Sequence, residues 1–403
     1  MLPDPLLGKK IILGVTGGIA AYKSALLIRE LVKRGAEVKV VMTPSALEFI
    51  TPLTLSTLSG NEVIVNTFPA DQKNGVSLKT WHIDYGIWAD LMIIAPATVN
   101  TVAKITNGFA DNALTTLVAA LRKKLLLAPA ADMDMYETEA NLSNLEILEK
   151  RGAFIVDAEE GFLASGLTGR GRMADVNKIV DAAELILSGF EKDLRGKKIV
   201  VTAGPTYEDI DPVRFIGNRS SGKMGFAIAK AAYLRGAEVT LISGPSAEQC
   251  YPEVKRVKIR TAREMQAAVE KEYPQNDVLI MSAAVADYAP ENFSSVKIKK
   301  SENKKSINLV ENLDILASLN KIDGKLIVGF ALETNNAEEY ARKKLDMKGI
   351  DLIVLNSLED KGAGFEHDSN KISIIDKKDF HQFPLMSKFQ TANNILTDIK
   401  NKK

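Results

Sequence analysis

Lys9-Lys10-Ile11-Ile12-Leu13-Gly14-Val15-Thr16-Gly17-Gly18 is an aliphatic run that ends in a glycine turn. That is the pattern of a buried strand. Lys197-Lys198-Ile199-Val200-Val201-Thr202-Ala203-Gly204-Pro205-Thr206 repeats it. A helix-like stretch follows each copy, and then Arg34-Gly35-Ala36-Glu37-Val38 or Arg235-Gly236-Ala237-Glu238-Val239. There the glycine ends a helix and the valine starts a second strand. Strand, turn, helix and strand open a doubly wound sheet, so the expected fold is α/β with two Rossmann-like doubly wound domains. Further strands are expected at 91–95, 125–128 and 154–156, and at 278–282, 326–330 and 352–355. The polar link Glu191-Lys192-Asp193 places the boundary near Gly189–Gly196, giving domains over 1–190 and 191–403.

The two copies are not identical. Lys9 to Arg34 spans 25 positions and Lys197 to Arg235 spans 38, so the second half carries 13 extra residues. They fall around Tyr207–Arg219, at the strand's carboxyl end, where open α/β sheets bind ligands. A long loop there is more often functional than decorative.

Composition narrows the classes. The length of 403 residues suggests two or three domains. With 52 Lys and Arg against 51 Asp and Glu, the net charge of +1 argues against a nucleic-acid binder, though not against small anions. One cysteine, Cys250, excludes an intramolecular disulfide and a cysteine zinc site, and three histidines leave little for a histidine-rich one. The N-terminal Lys9-Lys10 and its apolar run loosely mimic a secretory signal, but Thr16-Gly17-Gly18 breaks the run and the motif recurs internally. The longest apolar candidate, Leu91–Ala103, has 13 residues and contains Pro96 and Asn100, too short for a membrane span. A cytoplasmic protein without a membrane partner is expected.

Five segments of the first half carry chemistry. Gly14–Lys23 joins strand to helix, where backbone N–H groups can hold a phosphate, although the dinucleotide G-x-G-x-x-G spacing is missing. Ala95-Pro96-Ala97-Thr98-Val99-Asn100-Thr101 offers small, hydroxylic and amide groups to a planar cofactor; its plain reading is a Pro-initiated helix capped by Thr98. His82, in Trp81-His82-Ile83-Asp84, is a candidate general base or a structural histidine. Pro129–Tyr136 reads as a connector after a strand, and Gly161–Met173 as a mobile loop or an active-site lid.

Together these segments resemble the homo-oligomeric flavin-containing cysteine decarboxylase family. The resemblance implies an N-terminal flavoprotein decarboxylase domain that binds FMN between subunits. Thr16, Gly17, Gly18, Ile19, Ala20, Thr43, Pro96, Ala97, Thr98 and Asn100 would contact flavin or substrate, and His82 would hold the catalytic histidine position. Decarboxylation needs an electron sink, which oxidation of the substrate CH₂–SH supplies, with FMN taking the hydride and His82 assisting the proton. Two motifs depart from the family pattern. Ala131-Asp132 replaces Met-Asn in P-x-M-N-x-x-M-[WY], and Ser165 replaces the cysteine proton donor of the lid. A serine hydroxyl is far less acidic than a thiol of pKa about 8.5. Asp132, or a water it holds, is therefore the candidate replacement donor.

In the second half, Gly217–Lys223 fits G-x-x-x-x-G-K, but Met224 stands where a Mg²⁺-binding Ser or Thr belongs, which excludes a Walker A site. Ser220, Ser221 and Gly222 still suit a phosphate at a helix start. Small residues after the strand at Met281, Ser282 and Ala283 admit a flat ring, and Asp287 can accept from its amine. Five lysines between Lys297 and Lys305 read as a solvated surface or as a loop that closes on a triphosphate.

These segments, with Gly329–Asn335, resemble phosphopantothenate–cysteine ligase, and the resemblance spans almost the whole second half. It implies a C-terminal ligase domain using CTP and Mg²⁺, with 4′-phosphopantothenate and L-cysteine as substrates. Met281–Ala283, Asp287, Lys297, Leu313, Asp314, Ile315, Leu316, Phe330, Lys344 and Lys348 would contact CTP. Arg214 and Asn218 would hold the acyl-cytidylate. The ligase product is the decarboxylase substrate, which supports both assignments. The rivals are a flavin-binding regulatory protein without turnover and a nicotinamide dehydrogenase.

Overall fold

The repeated strands run Lys10–Val15 and Lys198–Ala203, each buried beyond its first lysine. The structure, a computed structural model, describes residues 4–68, 80–299, 306–333, 337–357 and 367–402. It divides into two units, Pro5–Gly189 and Phe190–Lys403, Asp4 going with the second.

The first unit has six parallel strands in the order Val63–Ile64, Glu37–Met42, Lys10–Val15, Leu91–Ala97, Lys124–Pro129, Phe154–Ile155. Strand residues point alternately to opposite faces. Accordingly Ile11, Leu13 and Val15 enter one apolar core and Ile12 the other. Both faces being covered explains the unbroken aliphatic runs. The second unit orders Lys255–Lys258, Glu238–Ser243, Lys198–Ala203, Val278–Met281, Leu326–Glu333 and Leu352–Ser357 in parallel. Two antiparallel strands, Ile372–Ile375 and Phe380–Gln382, follow. In each sheet the winding reverses beside the repeated strand, next to Leu91–Ala97 or Val278–Met281.

The repeat runs deeper than the motifs. Asp90 Oδ2 accepts from the Lys10 N–H at 2.9 Å, and Asp277 Oδ2 from the Lys198 N–H at 2.9 Å. Each carboxylate thus pins the start of its central strand. Arg34 pairs with Glu184 on the helix Val176–Leu187. Arg235, 2% exposed, binds Asp193 at 2.9 and 2.7 Å and donates to the Asn393 carbonyl in the helix Lys388–Asn401.

Three local readings need correction. Pro96 does not start a helix: it ends the strand Leu91–Ala97, where a register shift between Ile94 and Ala97 admits a residue without an N–H. The helix is Val99–Thr106, and Thr98 at its start makes no side-chain cap, its hydroxyl donating to Thr101 Oγ1 at 3.1 Å. The glycine-rich stretch is not an irregular loop but an antiparallel hairpin, Glu159–Phe162 with Thr168–Arg172. Its glycines are contact sites: a Cβ on Gly169 would strike the Met133 side chain, and one on Gly171 the Ala131 carbonyl. The extra residues of the second half likewise form a hairpin, Tyr207–Asp209 with Phe215–Gly217.

Candidate functional site

In the first unit, ten expected flavin contacts converge on the carboxyl ends of three adjacent strands. Thr16 follows Lys10–Val15 and is fully buried. Its Oγ1 donates to the Pro96 carbonyl at 2.7 Å and accepts from the Thr98 N–H at 3.1 Å, holding the edges of the crevice together. A Cβ on Gly17 would lie 2.6 Å from the Ser45 side chain, so only glycine fits there. Gly18 has only Thr98 Cγ2 within reach of such a Cβ, at 3.4 Å. Ile19 and Ala20 form a short 3₁₀ turn before the helix Lys23–Lys33. Thr43, buried after Glu37–Met42, stands 3.3 Å from Ser45 across their hydroxyls. Ala97 is buried and Asn100 exposed. Glycines, hydroxyls, an amide and the backbone of a helix entry make a cradle suited to a flat, phosphorylated group.

His82 is half-buried, second in the helix Trp81–Trp88, edge-on to Trp81 at 5.7 Å. Trp88 lies under Lys10 at the amino edge of the sheet, so the helix runs back along it and presents His82 toward the carboxyl edge. Asp132 is half-buried directly after Lys124–Pro129 and makes no cap bond to the short helix Met133–Tyr136. Ser165 is exposed at the hairpin tip, its Oγ accepting from the Leu167 N–H at 3.4 Å. Among the described residues no hydrogen bond joins Asp132 to Ser165; their segments meet through Gly169 and Gly171 instead.

Sequence reasoning missed Ser45 and passed over Lys23. Lys23 is buried and donates to the Met173 carbonyl at 2.8 Å, tying the hairpin base to the first helix. Burial, with nearby Arg172, lowers its pKa against the pull of Glu159 and Asp175.

The second unit has a cavity of about 440 Å³ at its own switch point. Gly222, at φ 84°, opens the helix Lys223–Leu234, and a Cβ there would lie 3.2 Å from Gly204 Cα. A Cβ on Gly225 would lie 2.6 Å from Ala203 Cβ, which shows how tightly the helix start sits on the strand. Asn218, Ser220, Ser221, Gly222, Ser282, Ala283, Asp287, Phe330 and Lys344 all line the cavity, as expected. Asn218 Nδ2 donates to the Val285 carbonyl at 2.8 Å. Ser282 Oγ is buried there and has no hydrogen-bond partner among the described residues.

The other expected contacts do not line it. Met281 and Ile315 are core residues, Leu316 packs against that core, and Leu313 is exposed. Asp314 caps Ile315–Ser318 and pairs with Lys348 at 2.9 Å. Although burial opposes it, Lys348 and the Ala317 N–H hold this carboxyl below its usual range. Arg214 is taken up by buried Asp211 and by the Ile298 carbonyl, which fastens the hairpin to the segment bearing exposed Lys297. Lys300, Lys304, Lys305, Thr334 and Asn335 lie outside the described residues.

The cavity also includes Lys223 and Met224 of the rejected G-x-x-x-x-G-K match, and Asn356, Asn370 and Lys388, which no motif had marked. Lys388 is buried and opens the helix Lys388–Asn401. Burial, then Lys223, lowers its pKa to about 8, against Asp368 and Glu248.

Comparison with known proteins supports two functional units. Residues 2–187 match the flavoprotein family, and 194–402 the DNA/pantothenate metabolism flavoprotein C-terminal domain. The coenzyme A biosynthesis bifunctional protein CoaBC of Bacillus subtilis is 42% identical over 97% of this chain and 96% of its own. That of Escherichia coli K12 is 43% identical over 98% of this chain and 97% of its own. A cysteine/cysteine sulfinic acid decarboxylase from an unknown prokaryotic organism is 44% identical over 87% of this chain and 98% of its own. With both family regions present and near-complete coverage on each side, the chain belongs to the family of coenzyme A biosynthesis bifunctional proteins.

Proposed function

We propose that the chain carries out two consecutive steps of coenzyme A synthesis. The second unit joins L-cysteine to 4′-phosphopantothenate with CTP, and the first decarboxylates the 4′-phospho-N-pantothenoylcysteine to 4′-phosphopantetheine with FMN. The observation that carries this reading is 42–43% identity over nearly the full length of bifunctional relatives, in a chain with a separate topological switch point in each unit.

FMN supplies a reversible two-electron acceptor for the substrate thiol carbon. The chain's part is to bind it and move protons. Backbone N–H groups at 17–20 and the hydroxyls of Thr43, Ser45 and Thr98 suit its phosphate and polar edge. In this reading His82, half-buried at the start of its helix, accepts the substrate proton. Asp132 takes over the donor role that Ser165 fills poorly. A homo-oligomer with FMN between subunits completes this site.

In the ligase unit, a carboxylate is activated by attack on the α-phosphate of CTP, and cysteine's amine then displaces the nucleotide. Ser220, Ser221 and Gly222 at the helix mouth receive phosphate oxygens, while Asp287 and Phe330 hold the base. Mg²⁺ arrives with the nucleotide's phosphates, and no protein ligand is assigned to it. Arg214 and Lys297 act, in this reading, from the fastened hairpin and its neighbouring segment. The setting is cytoplasmic.

The decisive assay supplies 4′-phosphopantothenate, cysteine and CTP. Pyrophosphate and then carbon dioxide and 4′-phosphopantetheine are expected; no CTP-dependent pyrophosphate would refute the ligase reading. The cysteine decarboxylase relative favours a second reading in which free cysteine is the decarboxylated substrate. Carbon dioxide from cysteine alone, without CTP, would establish it.

A further inference from the structure

The ligase cavity is also lined by polar groups from outside the phosphate-binding helix start, namely Asn356, Asn370 and Lys388. Lys388 and Lys223 belong to different helices, Lys388–Asn401 and Lys223–Leu234, yet both line the cavity beside Asn356 and Asn370. Lys388 is 7% exposed and its Nζ donates to the His367 carbonyl at 2.5 Å. Lys223 Nζ binds Asp368 Oδ1 at 2.7 Å. Asn370 Nδ2 lies 3.3 Å from Asn356 Oδ1. Lys223 is half-buried, and holding the buried Lys388 ammonium within its field is costly. That cost is recovered when an anion enters between them.

Taking the ligase reading as its basis, we propose that Lys388, with Lys223, forms a further anion subsite of the ligase cavity that binds phosphoryl oxygens of a substrate. Its chemistry suits the polyphosphate of the nucleotide or the phosphate monoester of the other substrate. Among the described residues, the charged groups facing Lys388 are Lys223, Asp368 and Glu248, one cation against two carboxylates. With the subsite empty, Lys388 is about half charged near pH 8. An arriving phosphate favours the charged form, so binding draws in a proton. Phosphate groups, with a second pKa near 6, are already ionised at that pH and contribute little uptake themselves.

The test titrates CTP, and separately 4′-phosphopantothenate, into the full-length flavin-loaded protein at pH 8, without cysteine. Calorimetry in two buffers of different ionisation enthalpy counts the protons. One of the two ligands is expected to draw in roughly half a proton, following from the half-charged lysine. Lys388→Arg, always charged, is expected to bind that ligand without uptake. Lys388→Met is expected to bind it roughly tenfold or more weakly, as for loss of a charge-assisted hydrogen bond. Loss confined to CTP assigns the subsite to the nucleotide, and loss confined to 4′-phosphopantothenate assigns it to the monoester. Unchanged affinity of Lys388→Met for both ligands overturns the subsite, as does equal proton uptake in wild type and Lys388→Arg. If Lys388→Met does not fold, the wild-type and Lys388→Arg proton counts still decide. Wild-type protein that binds neither ligand refutes the ligase reading and the subsite with it.

Discussion

His82 is the residue on which the decarboxylase assignment turns, and its placement has a testable consequence. It stands second in a helix whose other end, Trp88, lies under Lys10 at the amino edge of the sheet. His82→Gln is expected to lower carbon dioxide release by about 10²- to 10⁴-fold while flavin absorbance stays with the protein, the ordinary worth of a general base. Asp132 tests the later step. Asp132→Asn is expected to leave carbon dioxide release in place but to let the enethiol accumulate at the expense of 4′-phosphopantetheine, read by mass spectrometry. Unchanged phosphopantetheine yield would remove Asp132 from that role. His82 precedes the strand Leu91–Ala97 and Asp132 follows Lys124–Pro129, so the sequence singled out both segments, and the family resemblance supplied the roles expected of them. Lys388 was not legible: a lone lysine at the start of a terminal helix has no pattern, and only the fold brings it beside Lys223.

At the scale of elements, the glycine-rich hairpin was misread because glycine is ambiguous in sequence. It permits mobility, but it also permits backbone to lie against backbone. Here the second use wins, since Gly171 leaves room for the Ala131 carbonyl and Ala131 N–H donates to the Gly171 carbonyl at 3.0 Å. Gly171→Val is expected to cost about 1–3 kcal/mol of local stability, as overpacking does. It is also expected to lower decarboxylation by roughly tenfold or more through misplacement of the Asp132 segment. CTP-dependent pyrophosphate release by the same protein is expected to be unchanged, which separates a local lesion from global misfolding. The central strands were readable because apolar runs buried on both faces leave little choice of structure. The strand Leu91–Ala97 overran its expected end because a bulge, invisible to periodicity, absorbs Pro96.

At the scale of the whole molecule, the repeat of strand, helix and Arg-Gly gave away two doubly wound units. The aspartates that pin each central strand stay hidden in sequence, because they act across 80 and 79 positions. Stability against acid is expected to differ between the units. Arg235 hydrogen-bonds Asp193 and, with Lys400 and despite burial, lowers its pKa to about 2 from 3.8. A carboxylate with a depressed folded pKa stabilises above its unfolded value, and that contribution fades as pH falls from 3.8 through 2. The amount is about 2 kcal/mol. Asp193→Asn is expected to melt earlier at pH 7 and to flatten the acid dependence of the second unit, followed by circular dichroism.

The Arg235 pairing also decides where the gene can be cut. A ligase fragment begun at Gly196 would retain every strand of the eight-stranded sheet. It would nevertheless strand a guanidinium, 2% exposed, without its carboxylate. Orphaning a buried ion in this way costs about 3–5 kcal/mol, a large part of what holds a domain together. A fragment begun at Phe190 keeps Asp193 and should express as soluble, folded protein where the shorter one precipitates.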